Sequence, residues 1–142
     1  MKLVKSLPAA FAELEPYLDW ALPSETLRRQ YRESLELDEI TEFYNAMLVR
    51  APEILDHFRK SETDAGGPDR VDAPTRTLFT LMLSFSEASL SVEMHRSPTV
   101  PDGMPGDIWK PEHETAGWKN KPKIRLMPRP SDPMNVIAVT AA

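Results

Sequence analysis

Three histidines are the only side chains in this chain whose ordinary titration falls near neutral pH, and each has a carboxylate close by in sequence. Glu53 and His57 stand four apart, which on a helix puts them on one face with the spacing two metal ligands need. Glu93 and His95 stand two apart. A continuous helix turns them to different sides, and only a distorted helix end brings them together as an acid–base pair. His113 lies between Glu112 and Glu114 and between Trp109 and Trp118, an imidazole with carboxylates and aromatic walls at hand. Each also has a plainer role: a surface pair for His57, a cation at a helix C-terminus for His95, and a turn stapled by tryptophans for His113.

A second cluster is basic. Lys119, Lys121, Lys123 and Arg125 follow Trp118 with no acid among them. Bases beside an aromatic can grip single-stranded nucleic acid, but such grooves carry more charge and more rings than this. The pattern instead fits an acidic protein surface, so Trp109, Trp118, Lys121, Lys123 and Arg125 are the expected partner-binding residues. The catalytic candidates are His113, His95 and Glu93.

Recognised catalytic signatures are absent: no phosphate-binding glycine loop, no Gly-x-Ser-x-Gly, no Ser-x-x-Lys, no His-Glu-x-x-His and no Glu-x-x-His. Zero cysteines exclude disulfides, thiol catalysis, iron–sulfur ligation and cysteine-held zinc. Scattered histidines do not make a closed ligand set, so neither a metal nor another cofactor is expected. The cysteine count points to a reducing cytoplasm. Pro8, Glu13, Glu15 and Pro16 interrupt the apolar run an export signal would need after Lys5, and the most apolar stretch, Leu78 to Leu90, contains too many polar residues to cross a membrane. The net charge of −5 is concentrated in residues 1–96, which hold 17 acids against 11 bases. That excess repels phosphate backbones and argues against nucleic acid as a partner.

The elements that position these residues are helical up to residue 96. Leu7, Phe11, Leu14, Leu18 and Leu22 form one stripe, with Ser6 as N-cap, Pro8 in the first turn and a kink near Glu15 ahead of Pro16. Ser24 caps a second, surface helix that holds Arg28, Arg29, Arg32 and Glu33 in water. Asp38 caps a third, with Ile40, Phe43, Met47, Leu48, Ile54, Leu55 and Phe58 inward and a kink or break at Arg50-Ala51 before Pro52. Ser61 to Arg70 reads as a flexible loop around Gly66-Gly67-Pro68. Asp72 caps the last helix, whose apolar residues from Leu78 to Val92 surround the axis and mark it as central, Leu81 and Phe85 being the most buried. Tyr17, Trp20, Tyr31 and Tyr44 are expected at the edge of the core. The serines of the last helix let neighbours approach, and each is expected to bond the carbonyl one turn back.

Residues 97–142 hold eight of the 14 prolines and two of the three tryptophans, with strand-like composition only at 124–127 and 134–139. The expected fold is therefore all-α: an irregular four- to five-helix bundle over residues 1–96, with an extended proline-rich arm over 97–142 packed on it or on a partner subunit. Two functions fit. One is a non-enzymatic interaction protein, an accessory or self-associating subunit of a cytoplasmic enzyme system, with the arm as docking element and a protein partner or second copy as its target. The other is a small enzyme or ligand-binding protein that takes a small molecule between the central helix and the arm, with a histidine as acid or base.

Overall fold

The computed structural model describes residues 5–104, 106 and 108, and these form an all-α fold with no strand among them. The N-terminal helix, Ala9–Trp20, is a 3-10 helix. Its period of three puts Phe11, Leu14, Tyr17 and Trp20 on one edge. Phe11, Leu14 and Trp20 are buried, while Leu18 and Leu22, which an α-helical period would bury, are only partly covered. Pro8 precedes the helix without a side-chain cap, so Ser6 does not have the expected role. The irregular backbone lies at Phe11 (φ −126°, ψ 25°) and not near Glu15. Pro16 is exposed, so the carbonyl that loses its donor there meets water.

Three α-helices follow. In α1 (Glu25–Glu33), Ser24 Oγ accepts from the Leu27 N–H at 3.3 Å, as its sequence implies. Helix α2 (Leu37–Ala65) runs unbroken for 29 residues. Glu36 and Glu39 form a capping box at its start, so Asp38 lies inside the first turn and is not the cap. Pro52 sits on the solvent face and leaves the helix intact, because its missing hydrogen bond is lost where water can replace it. The helix continues through the expected loop to Gly66, whose φ of 75° is the left-handed conformation that ends helices, and the Gly67 N–H bonds the Glu62 carbonyl at 3.0 Å.

A single 3-10 turn, Pro68–Arg70, leads to α3 (Ala73–Ser89), capped by Asp72, which accepts from the Thr75 N–H at 2.9 Å. The chain then widens into a π-helical turn, Leu90–His95, and stops at Arg96 with φ 50°. Helix α3 is buried on one side and not all round. Leu78, Leu81, Ser84 and Ala88 are inside, Phe85 is only partly buried, and Phe79 and Leu90 are exposed. Ser84, Ala88 and Ser91, at spacings of four and three, form the small-residue seam that admits close neighbours. The Ser84 hydroxyl departs from expectation: it donates at 2.6 Å to the Trp20 carbonyl and not to its own helix, joining the Leu22 N–H as a second donor on that carbonyl.

The core is an α2–α3 hairpin with the N-terminal helix and α1 across one side. Trp20, expected at the edge, stacks on Phe43 at 4.1 Å and meets Tyr31 edge-on at 5.2 Å, deep in that core. Tyr44 is buried too. One flank of α2 faces the N-terminal helix, where Arg50 lies over the Phe11 ring and His57 meets it edge-on. Among the described residues no element packs over the opposite flank. Leu48 and Leu55, seven residues apart, keep 47% and 53% of their surface in solvent, and Phe79 of α3 keeps 45%. The ring contacts Phe58–Phe79 and Tyr44–Phe85 bracket this strip, and half-buried Met82 lies between Phe79 and Phe85 along α3.

Candidate functional site

Glu93 and His95 do not pair, as a two-residue spacing implies. The Tyr44 hydroxyl donates to the Glu93 carboxylate, which fastens the π turn to α2; that bond, with burial, raises the tyrosine pKa above its ordinary value. Glu53 and His57 do not act together either. Glu53 pairs with Arg50 at 2.8 Å, one helical turn back, and Arg50 also reaches Glu13. His57 Nε2 lies 3.0 Å from Thr75 Oγ1 and 3.3 Å from Ser61 Oγ.

A hydroxyl on an imidazole is the start of a nucleophilic device, and Thr75 lines a cavity of about 500 Å³ with Phe58, Val71 and Phe79. Yet Thr75 is 3% exposed, and its hydroxyl and N–H both serve the Asp72 carboxylate. Those bonds, with a smaller contribution from His57, hold the Asp72 pKa below the ordinary carboxylate value. The group of Asp72, Thr75, His57 and Ser61 thus fixes the start of α3 against α2. Among the described residues no set of three or more His, Asp or Glu side chains is placed to hold a metal ion.

His95 faces a different place. The π turn and the chain leaving it run beside α1, and between them lies a cleft of about 840 Å³. The departing chain is tied back by the Ser97 N–H on the Ser91 carbonyl at 3.2 Å and by the buried Ser91 hydroxyl on the Pro98 carbonyl at 3.4 Å. From α1 the cleft receives Arg29 and Arg32, one turn apart, together with Glu25 and Glu33; Leu90, Val100 and Met104 supply apolar wall. Of the arginines expected in water, Arg28 points the other way. It is 6% exposed, with its guanidinium on both Glu87 oxygens at 2.8–3.1 Å and on the Leu22 carbonyl at 3.0 Å. The sequence signal for Arg29 and Arg32 was the grouping of three arginines within five residues, which reads as a solvated face until the fold bends the chain after α3 alongside it.

Of the sequence-derived candidates, His95 therefore lines a cleft and Glu93 belongs to a structural pair, while His113, Trp109, Trp118, Lys121, Lys123 and Arg125 lie outside the described residues. No helix among the described residues is long and apolar enough to cross a membrane. The chain matches no protein-family model, no curated protein and no solved structure.

Proposed function

We propose that the protein is a non-enzymatic interaction protein, an accessory or self-associating helical subunit of a cytoplasmic enzyme system. Its contact surface is the uncovered α2–α3 strip, and its docking element is the C-terminal segment of a second copy. The observation that carries this reading is the strip itself: Leu48, Leu55 and Phe79 stand half in solvent beside two aromatic pairs. Grouped apolar side chains of this kind gain most when a partner covers them. Charge favours the same partner, because residues 1–96 carry an excess of six acids and residues 119–125 carry four bases and no acid. Trp109 and Trp118 supply the large rings that commonly anchor such contacts. The polar groups described above also favour it, since Glu87, Glu93, Glu53 and His57 are bound to other side chains of the fold.

Sedimentation of the full chain at tens of micromolar protein tests the proposal. The expected result is an assembly of at least twice 16.1 kDa for the wild type. A single chain is expected for Leu55→Glu/Phe79→Glu, with helical circular dichroism unchanged because both positions are exposed. A wild type that sediments as a single chain refutes it.

A further inference from the structure

Helix α1 directs its arginines in two directions. Arg28 goes inward to Glu87, while Arg29 and Arg32 line the cleft beside His95. Among the described residues neither the Arg29 nor the Arg32 side chain makes a hydrogen bond or ion pair, although Glu25 and Glu33 line the same cleft. The Arg32 Nε is buried with no hydrogen-bond partner, and burial lowers the pKa of this guanidinium from its ordinary value, against the opposing pull of the Glu87, Glu33 and Glu25 carboxylates. Its place in the last turn of α1 accounts for a positive charge there, since the helix dipole favours one. The dipole does not account for a buried, unsatisfied N–H, which carries a desolvation cost until an acceptor meets it.

The opposite wall is built to come close. A Cβ added to Gly106 would lie 1.4 Å from the Arg29 Nη1, so the main chain passes directly against this guanidinium. The cleft thus combines two planar cations one turn apart, an imidazole, an apolar wall of Leu90, Val100 and Met104, and a volume in the range of small-molecule sites.

We propose that this cleft binds a small molecule through an oxyanion, a phosphate or carboxylate group held by Arg29 and Arg32 with His95 beside it, while the apolar part of the ligand lies on Leu90, Val100 and Met104. Guanidinium suits that group because its fork of N–H donors matches two oxygens at once. The site is separate from the α2–α3 strip, so it stands or falls independently of self-association.

Calorimetric titration of the full chain with inorganic phosphate, and separately with citrate, tests the proposal against sodium chloride at equal ionic strength. The expected result is saturable binding of at least one of them with a dissociation constant of about 1 mM or tighter, accompanied by amide shifts at Arg29, Arg32 and His95. Phosphate alone assigns a phosphate ligand, and citrate alone a carboxylate. Arg32→Gln and Arg29→Gln should each weaken binding roughly 10-fold, as loss of a charge-assisted pair does, with no change in sedimentation. The proposal is overturned if neither anion gives a saturable response beyond chloride, or if binding is unaltered in both variants.

Discussion

Removing one partner of the Arg28–Glu87 pair tests whether the fold depends on a charge placed inside it. Glu87→Leu leaves the Arg28 guanidinium 6% exposed with the Leu22 carbonyl as its remaining acceptor. Breaking a buried pair in this way costs roughly 3–5 kcal/mol. The Glu87 side chain is 24% exposed, so water softens its environment and the lower end, about 3 kcal/mol, is expected. The reverse change, Arg28→Met, leaves a carboxylate that can rehydrate and an acceptor at Leu22 without a donor. It should cost less, about 2 kcal/mol. With both replaced no uncompensated charge remains, and Arg28→Met/Glu87→Leu should lie within about 1 kcal/mol of the wild type. Urea unfolding followed by circular dichroism gives all three values, and the cycle should report a coupling of about 4 kcal/mol. In heat the Glu87→Leu variant should melt roughly 10 °C lower, given a few degrees per kcal/mol for a chain of this size. Additive single losses, or a double variant worse than either single one, would refute this account of α1 docking.

Two further outcomes follow from the packing and the cap of α3. Leu81→Ala should cost about 2–5 kcal/mol because Leu81 is fully enclosed, whereas Phe85→Ala should fall below the roughly 3–5 kcal/mol of an enclosed aromatic because Phe85 is only partly covered; urea midpoints compare the two. Asp72→Ala should cost about 1 kcal/mol at neutral pH by removing the α3 cap. The Asp72 pKa is lower folded than unfolded, so its ionisation contributes stability above the unfolded value and loses it as pH falls through the folded one. The difference between wild type and Asp72→Ala should therefore shrink on acidification below about pH 4 in unfolding experiments.

How much of this was legible in the sequence differs from one element to the next, for physical reasons. The caps Ser24 and Asp72 could be read directly, because their side chains bond N–H groups three residues away and need nothing else. In α2 the spacing placed Ile40, Phe43, Met47 and Ile54 correctly in the core and Phe58 at its edge, but Leu48 and Leu55, also expected inward, stand half in solvent. Pro52 misled, since a proline breaks a helix by what it removes, and sequence does not say whether water stands there to replace it. The N-terminal helix misled through its period: the stripe Phe11, Leu14, Tyr17, Trp20 was present, but the leucines at 18 and 22 completed a competing α-helical pattern. Arg28 was assigned to water because its carboxylate partner lies 59 residues away, a distance over which local pattern carries no information. The cleft beside His95 was hidden for the same reason. It exists because the π turn redirects the chain past α1, and nothing in the composition of Leu90 to His95 announces that turn.

The 3-10 form of Ala9–Trp20 bears on the order in which the molecule assembles. Runs of this helix longer than a few residues are uncommon because their hydrogen bonds are poorly aligned, so this one, already interrupted at Phe11, persists only while docked. The surface it docks on is the α2–α3 hairpin, whose two helices pack on each other across a short connection. Topology thus favours the hairpin as the earlier structure. The N-terminal helix closes onto it afterwards, through Trp20 on Phe43 and Ser84 on the Trp20 carbonyl, contacts that span 23 and 64 residues of chain. Opening runs in the reverse sequence: the segment that arrives last is the first to leave, and its departure bares Phe43 while α2 and α3 remain paired.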